Sequence, residues 1–132
     1  MSSKPLAFII EDDSSQSRIF SLALQTDFEI ICIFDGLEAV AQLKQALPKL
    51  IVLDMNLPGL HGSQILELVR ADPKFSQTQV IMATADALQA TNLEQDADLI
   101  LLKPISPKQL RELAKRIVFD HHKIANRRLR YR

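Results

Sequence analysis

Residues 50–62 read Leu-Ile-Val-Leu-Asp-Met-Asn-Leu-Pro-Gly-Leu-His-Gly. The apolar run 50–53 leaves no polar position to face water, so it predicts a short strand buried on both faces. The run stops at a charge, Asp54, and Pro58, Gly59 and Gly62 then force a sharp turn. Ile65, Leu66 and Val69 follow at helical spacing. An apolar strand that delivers an acid into a tight loop before an amphipathic helix is one unit of a parallel α/β sheet.

The same unit recurs in both directions along the chain. Upstream, Leu6-Ala7-Phe8-Ile9-Ile10 ends at Glu11-Asp12-Asp13. Asp13, Ser14 and Ser15 supply cap chemistry for a helix carrying Ile19, Phe20, Ala23 and Leu24 on one side. Ile30-Ile31-Cys32-Ile33 is a second strand, followed by the Asp35-Gly36 turn. Leu37, Val40, Leu43 and Leu47 then recur at helical spacing up to Pro48. Downstream, Val80-Ile81-Met82-Ala83 ends at Thr84, with a helix expected over 87–93. Leu99-Ile100-Leu101-Leu102 closes at Lys103-Pro104, and Ser106-Pro107 opens a last helix with Leu110, Leu113, Ala114, Ile117 and Val118 inward. Five strands alternating with five helices predict a doubly wound, flavodoxin-like (βα)5 fold with a five-stranded parallel sheet in the order 2-1-3-4-5.

Bulk properties agree with one such domain. The 132 residues are 47% apolar, with 16 acidic and 16 basic side chains, so net charge points to neither nucleic acid nor a membrane surface. Residues 123–132 break the balance, holding five Lys or Arg and no acid. The domain is expected over 1–120, with 121–132 a basic C-terminal tail or a solvated helix extension. Cys32, the one cysteine, matches no zinc spacing and reads as a small buried hydrophobe. No apolar run has the length of a signal peptide or membrane span, so a cytoplasmic protein is the default expectation.

A parallel sheet places all strand C-termini along one edge, where ligands bind. In the order 2-1-3-4-5 that edge carries Glu11 and Asp12, Asp54, Thr84 and Lys103. Any one of these residues alone has an ordinary explanation as a cap or a solvated loop residue. Their arrival at the same end of separate strands does not. Three carboxylates together repel unless a cation sits among them, and oxygen ligands without His or Cys point to Mg²⁺. With an ammonium and a hydroxyl opposite, the set suits a phosphoryl group taken up by a carboxylate nucleophile.

Over residues 5–119 the chain resembles the receiver domains of two-component response regulators, such as the chemotaxis response regulator. The resemblance is carried by Ile-Ile-Glu-Asp-Asp at 9–13, Leu-Asp-Met-Asn-Leu-Pro-Gly-Leu-His-Gly at 53–62, Met-Ala-Thr-Ala at 82–85 and Leu-Lys-Pro at 102–104. It implies that Asp54 is the phospho-acceptor and that Glu11, Asp12, Asp54 and the backbone carbonyl of Asn56 hold Mg²⁺. It implies that Thr84 hydrogen-bonds a phosphoryl oxygen and that Lys103 pairs with the group. The donor would be a phosphohistidine on a sensor histidine kinase or phosphotransfer protein. Such a receiver is no general enzyme, catalysing only its own phosphorylation and dephosphorylation. Asn56 and Asp86, at the positions that tune phosphoryl lifetime in the family, suggest rapid loss. The output would be a changed surface on the fourth helix, fifth strand and last helix, including Leu88, Thr91, Ile100, Gln109 and Arg116. That surface would meet a downstream protein or a second copy.

Two departures stand out. Ile100 occupies the position where most family members carry an aromatic switch residue, so a smaller repacking is expected there. His61 replaces a frequent acid and reads as a solvated loop residue. A haloacid dehalogenase-type hydrolase would need an acid where Asn56 stands, and metal-binding acids after the Lys rather than before Asp54. A receiver-shaped module without phosphate chemistry would have lost one of the acids, the Thr or the Lys. No helix-turn-helix follows the domain in this sequence, so specific DNA recognition is not expected of it, and a free-standing receiver is the favoured reading.

Overall fold

In the computed structural model, which describes residues 4–88, 96–120 and the backbone of 129–131, each of these apolar runs is a strand. β1 (Leu6–Ile10), β2 (Glu29–Ile33), β3 (Leu50–Asp54), β4 (Gln79–Thr84) and β5 (Leu99–Leu102) alternate with α1 (Ser14–Leu24), α2 (Gly36–Leu43), α3 (Gly62–Ala71) and α4 (Pro107–Phe119). The strands are parallel, in the expected order β2-β1-β3-β4-β5. Residues 87–88 begin a helical turn where the fourth of the expected helices starts; the rest of that expectation, 89–93, lies outside the described residues.

Alternation along each strand divides the interior into two cores. Phe8, Ile10, Ile51, Leu53, Val80, Met82 and Ile100 point to the side covered by α2 and α3. Ala7, Ile9, Leu50, Val52, Ile81, Ala83, Leu99 and Leu101 point to the side covered by α1 and α4. The central strands therefore have no wet face, which is why they read as unbroken apolar runs rather than alternating ones. Each fully buried Leu, Ile or Phe contributes on the order of 1.5–3 kcal/mol.

The helix starts follow the cap chemistry. Asp13 accepts from the Gln16 N–H at 3.0 Å and caps α1; Ser106 accepts from the Gln109 N–H and caps α4, with Pro107 in the first turn. Two helix faces differ from the sequence expectation. In α1, Phe20 and Leu24 are buried as expected, but Ser17 is buried where Ile19 is exposed.

The difference in α2 is larger. Gly36, Ala39 and Leu43 face inward, Leu37 and Leu47 face water, and the helix ends at Leu43 rather than at Pro48. Sterics explain it. A Cβ on Gly36 would lie 2.4 Å from the Leu60 carbonyl oxygen, so the loop after β3 crosses where only a small residue fits. The helix turns its small residues toward that loop at the expense of burying leucine. Cys32, expected to be buried, is only partly so.

At the edge where the strands begin, Arg70 of α3 ties three segments together. Its guanidinium donates to the Asp96 and Thr78 carbonyls at 2.7 and 3.1 Å and pairs with the Asp98 carboxylate. Asp98 also accepts from the Val80 N–H at 2.7 Å, so one acid holds the starts of β4 and β5 against α3.

Beyond α4, which ends at Phe119, a short sixth strand, β6 (Leu129–Tyr131), lies parallel against β5. The expected helical extension therefore does not reach 129–131, and residues 121–128 lie outside the described residues. Among the described residues no helix is long and apolar enough to cross a membrane.

Gly62, at the start of α3, is the most closely approached of the three glycines, since a Cβ there would lie 2.3 Å from the Asp54 carbonyl oxygen. Gly62→Ala is expected to destabilise the protein by about 2 kcal/mol or more, because backbone must move to relieve the clash. Leu37→Ala, at a position 66% exposed, is expected to change stability by no more than about 0.5 kcal/mol. Urea denaturation midpoints of the two variants check both values.

Candidate functional site

The C-terminal ends of β1, β3, β4 and β5 meet at one edge of the sheet, and the strand registers bring their polar residues together. Ile10 lies opposite Leu53, Asp54 opposite Ala83, and Thr84 opposite Leu102. Carboxylate oxygens of Glu11, Asp12 and Asp54 lie within 4.8 Å of one another. Glu11 and Asp54 are buried, while Asp12 is exposed. The Lys103 ammonium donates to Asp54 Oδ1 at 2.9 Å and to Glu11 Oε1 at 3.1 Å. Glu11 Oε2 accepts from the Asp13 backbone N–H at 3.1 Å. The Lys103 backbone N–H in turn donates to the Thr84 carbonyl at 2.7 Å, fixing the end of β5 to the end of β4.

Burial and close charged partners act together on the ionisable groups here. Burial pushes the Glu11 pKa above the ordinary carboxylate value, and the nearby Asp54 charge adds to this. The Asp13 N–H and Lys103 oppose that shift without cancelling it. For Lys103 burial acts downward, but its hydrogen bonds to Asp54 and Glu11 and their charges outweigh it, so its pKa is raised. The crevice thus holds more negative charge than one ammonium balances. Hard oxygen donors with this excess fit a dication such as Mg²⁺, which takes carboxylates and retains water.

Thr84 is buried at the end of β4, and its Oγ1 accepts from the Asp86 N–H at 3.1 Å. Asp86 Oδ1 accepts from the Leu88 N–H at 2.9 Å, so this acid caps the helical turn after β4. Asn56 is exposed in the loop beyond Asp54. That loop is held by the Met55 N–H on the Ala83 carbonyl, the Gly62 N–H on the Met55 carbonyl and the Gly36 N–H on the Pro58 carbonyl. His61 is exposed at the start of α3, donates its backbone N–H to Gln64 Oε1 at 3.0 Å, and places Nδ1 3.3 Å from the Met55 carbonyl oxygen. Its place at the helix start was hidden in the sequence, where only the spacing to Gln64 signalled it.

Of the surface expected to change, Leu88 is 80% exposed and Arg116 is exposed, with Gln109 partly so. Ile100 does not belong to that surface. It is buried in the core beside Met82 and Ala97, because its place in β5 turns it toward the α2–α3 side. Thr91 lies outside the described residues.

Known proteins share this framework. The sequence profile of the response regulator receiver domain matches residues 7–115. The chain is 32% identical over 106 residues to the DNA-binding response regulator MtrA of Mycobacterium tuberculosis, a match covering 77% of this chain and 45% of that protein. This chain therefore spans less than half the length of that relative. Among solved structures, a putative response regulator from Chloroflexus aurantiacus superposes with a TM-score of 0.81 at 26% identity, covering 89% of this chain and 99% of that one. The chemotaxis response regulator CheY4 of Vibrio cholerae shares the fold, with a TM-score of 0.80 at 24% identity over 87% of this chain and 99% of that one.

Metal affinity reports directly on the acidic cluster. Asp12→Ala is expected to weaken Mg²⁺ binding by roughly tenfold or more, while Lys103→Ala retains it, since the lysine repels a dication. Because a raised pKa means that Glu11 takes up its proton at higher pH than usual, affinity is expected to fall as pH falls. The fall should begin above pH 4.5, the ordinary value. Isothermal titration of Mg²⁺ across a pH series checks both.

Proposed function

This chain belongs to the response regulator receiver domain family, and from that premise we propose that Asp54 is the phospho-acceptor of a His-Asp phosphorelay. One observation carries the reading: a buried carboxylate at the end of β3 shares the Lys103 ammonium with a second buried carboxylate, while a buried threonine ends the adjacent strand.

The chemistry follows from those groups. An Asp54 oxygen attacks the phosphorus of a phosphohistidine on a sensor histidine kinase or phosphotransfer protein. The P–N bond breaks, a P–O bond forms, and the imidazole departs. Lys103 pairs with the phosphoryl oxygens and the Thr84 hydroxyl donates to one of them, stabilising the charge that the transfer develops. Glu11, Asp12, Asp54 and the Asn56 backbone carbonyl would hold a Mg²⁺ ion, which supplies charge neutralisation to the same oxygens. Return to the resting state is hydrolysis: water attacks phosphorus and Asp54 leaves. Asn56 and Asp86, both exposed beside the acceptor's edge, orient that water.

The product of this chemistry is a changed surface rather than a released molecule. Thr84 and the end of β5 are joined by the Lys103 N–H, so a shift of the hydroxyl toward a phosphoryl group is felt in both strands. The face concerned runs from Leu88 across β5 to Gln109 and Arg116, and it addresses a downstream protein or a second copy in the cytoplasm. Phosphorylation acts there without an aromatic swing, since Ile100 is already packed inside.

Incubation with acetyl phosphate and Mg²⁺ is expected to give a phosphoryl adduct by intact-mass analysis, absent without Mg²⁺ and absent from Asp54→Asn. Normal phosphorylation of Asp54→Asn would overturn the assignment. Once formed, the adduct is expected to decay faster than an unassisted acyl phosphate. Asp86→Ala should slow that decay by roughly tenfold, followed as loss of adduct mass with time.

A further inference from the structure

The equal numbers of acidic and basic side chains conceal a division along the chain. Residues 1–103 hold 14 acids against 7 Lys or Arg, whereas residues 104–132 hold 9 Lys or Arg against 2 acids. Six of those nine are arginine, whose planar fork matches phosphate oxygens. The phosphoryl site uses none of them.

The fold gathers part of this charge on one face. α1, α2 and α3 together carry two basic residues, Arg18 and Arg70, whereas α4 alone carries Lys108, Arg111, Lys115 and Arg116, all exposed. The apolar stripe of α4, Leu110, Leu113, Ala114 and Ile117, is buried against the sheet, so the opposite side looks to water. Lys108 and Lys115 stand at the centre of that side, two turns or about 10 Å apart, with Glu112 between them and Phe119 at the end. Arg111 lies on the flank toward α1, where it pairs with Asp27 at 3.1 Å. Arg116 lies on the other flank, toward the β5 edge on which β6 is seated. Among the described residues, Lys108, Lys115 and Arg116 take part in no ion pair. β6 brings residues 129–131 to the same flank, from a stretch, 123–132, with five Lys or Arg and no acid.

Three unpaired cations along one helix, facing a single acid, suit a polyanion. The apolar groups decide which kind. A lipid surface is held by apolar side chains that enter it, and the stripe of α4 already faces the core. Phe119 is the one large apolar side chain exposed on α4, at 52%, and its ring meets Phe28 at a centroid distance of 5.6 Å. A ring supported on one side and open on the other, beside a row of cations, matches bases that stack and phosphates that pair. The bases of a duplex are stacked on each other, whereas those of a single strand offer their faces.

We propose that the outward face of α4 from Lys108 to Phe119, together with β6, binds single-stranded nucleic acid without selecting its sequence. This face borders the proposed output face and shares only Arg116 with it, and the inference is independent of the phosphoryl reading.

Fluorescence anisotropy of a labelled oligo-dT with the full chain tests it. The oligonucleotide is expected to bind at low salt and to be released steeply as salt rises. A Lys108→Gln/Lys115→Gln/Arg116→Gln chain, changed only at exposed positions, should bind roughly tenfold more weakly or worse. Its slope of log affinity against log salt should be shallower by about 2, since each cation on a single strand contributes about 0.7. Phe119→Leu keeps every charge and an apolar contact with Phe28. It should weaken oligo-dT binding by roughly fivefold or more and leave the salt slope unchanged. No binding by the native chain, or equal binding by the glutamine variant, would overturn the site. An unaffected Phe119→Leu chain, or a duplex of the same length bound as tightly, would overturn a single strand as its occupant. So would displacement of the oligonucleotide by polyglutamate or phosphatidylserine vesicles at an equal concentration of charge, which would assign the face to an acidic protein or a lipid surface.

Discussion

Glu11 and Asp54 sit below the protein surface within reach of each other, where water screens them poorly, and the Lys103 ammonium lies between them. Those three groups come from the ends of three different strands, so the order of the sheet and the balance of charge depend on each other. Removing the lysine would leave two buried acids facing one another without a protein counter-charge. Adding a cation relieves the excess, and adding a phosphoryl group restores it. The crevice is therefore poised between charge states, which suits a site that must take up and give back an anion.

The backbone framework was legible because strands buried on both faces can tolerate only apolar residues, so each run of β1, β3, β4 and β5 announced itself. The polar stops were equally plain, since Asp54, Thr84 and Lys103 each end or follow such a run. Combined with the strand order, those stops sufficed to bring Glu11, Asp12, Asp54 and Lys103 into one crevice. Their spacing in sequence says nothing of this. The parallel topology does.

Helix faces were harder to read. The leucines at 37 and 47 have the spacing of a buried stripe, yet they face water because Gly36 must meet the Leu60 backbone. Local periodicity carries no record of a loop arriving from elsewhere in the chain. The same limit applies to Asp86, whose carboxylate caps the next turn, and to Ile100, whose inward orientation depends on the face of β5 that it occupies. The pairing of β6 with β5 had no signature either. Charge dominates the composition of residues 123–132, which gives the pattern of a solvated segment rather than of a strand.

The Arg70 cluster has a mechanical meaning. Asp98 receives both the Arg70 guanidinium and the Val80 amide, so β4 and β5 share an anchorage at the edge farthest from the carboxylates. β4 and β5 are thus tied at both ends, by Asp98 where they begin and by the Lys103–Thr84 hydrogen bond where they finish, with parallel pairing between. Two strands bound at both ends act as one plate, so Thr84 and Lys103 keep a fixed spacing although 19 positions separate them in the sequence.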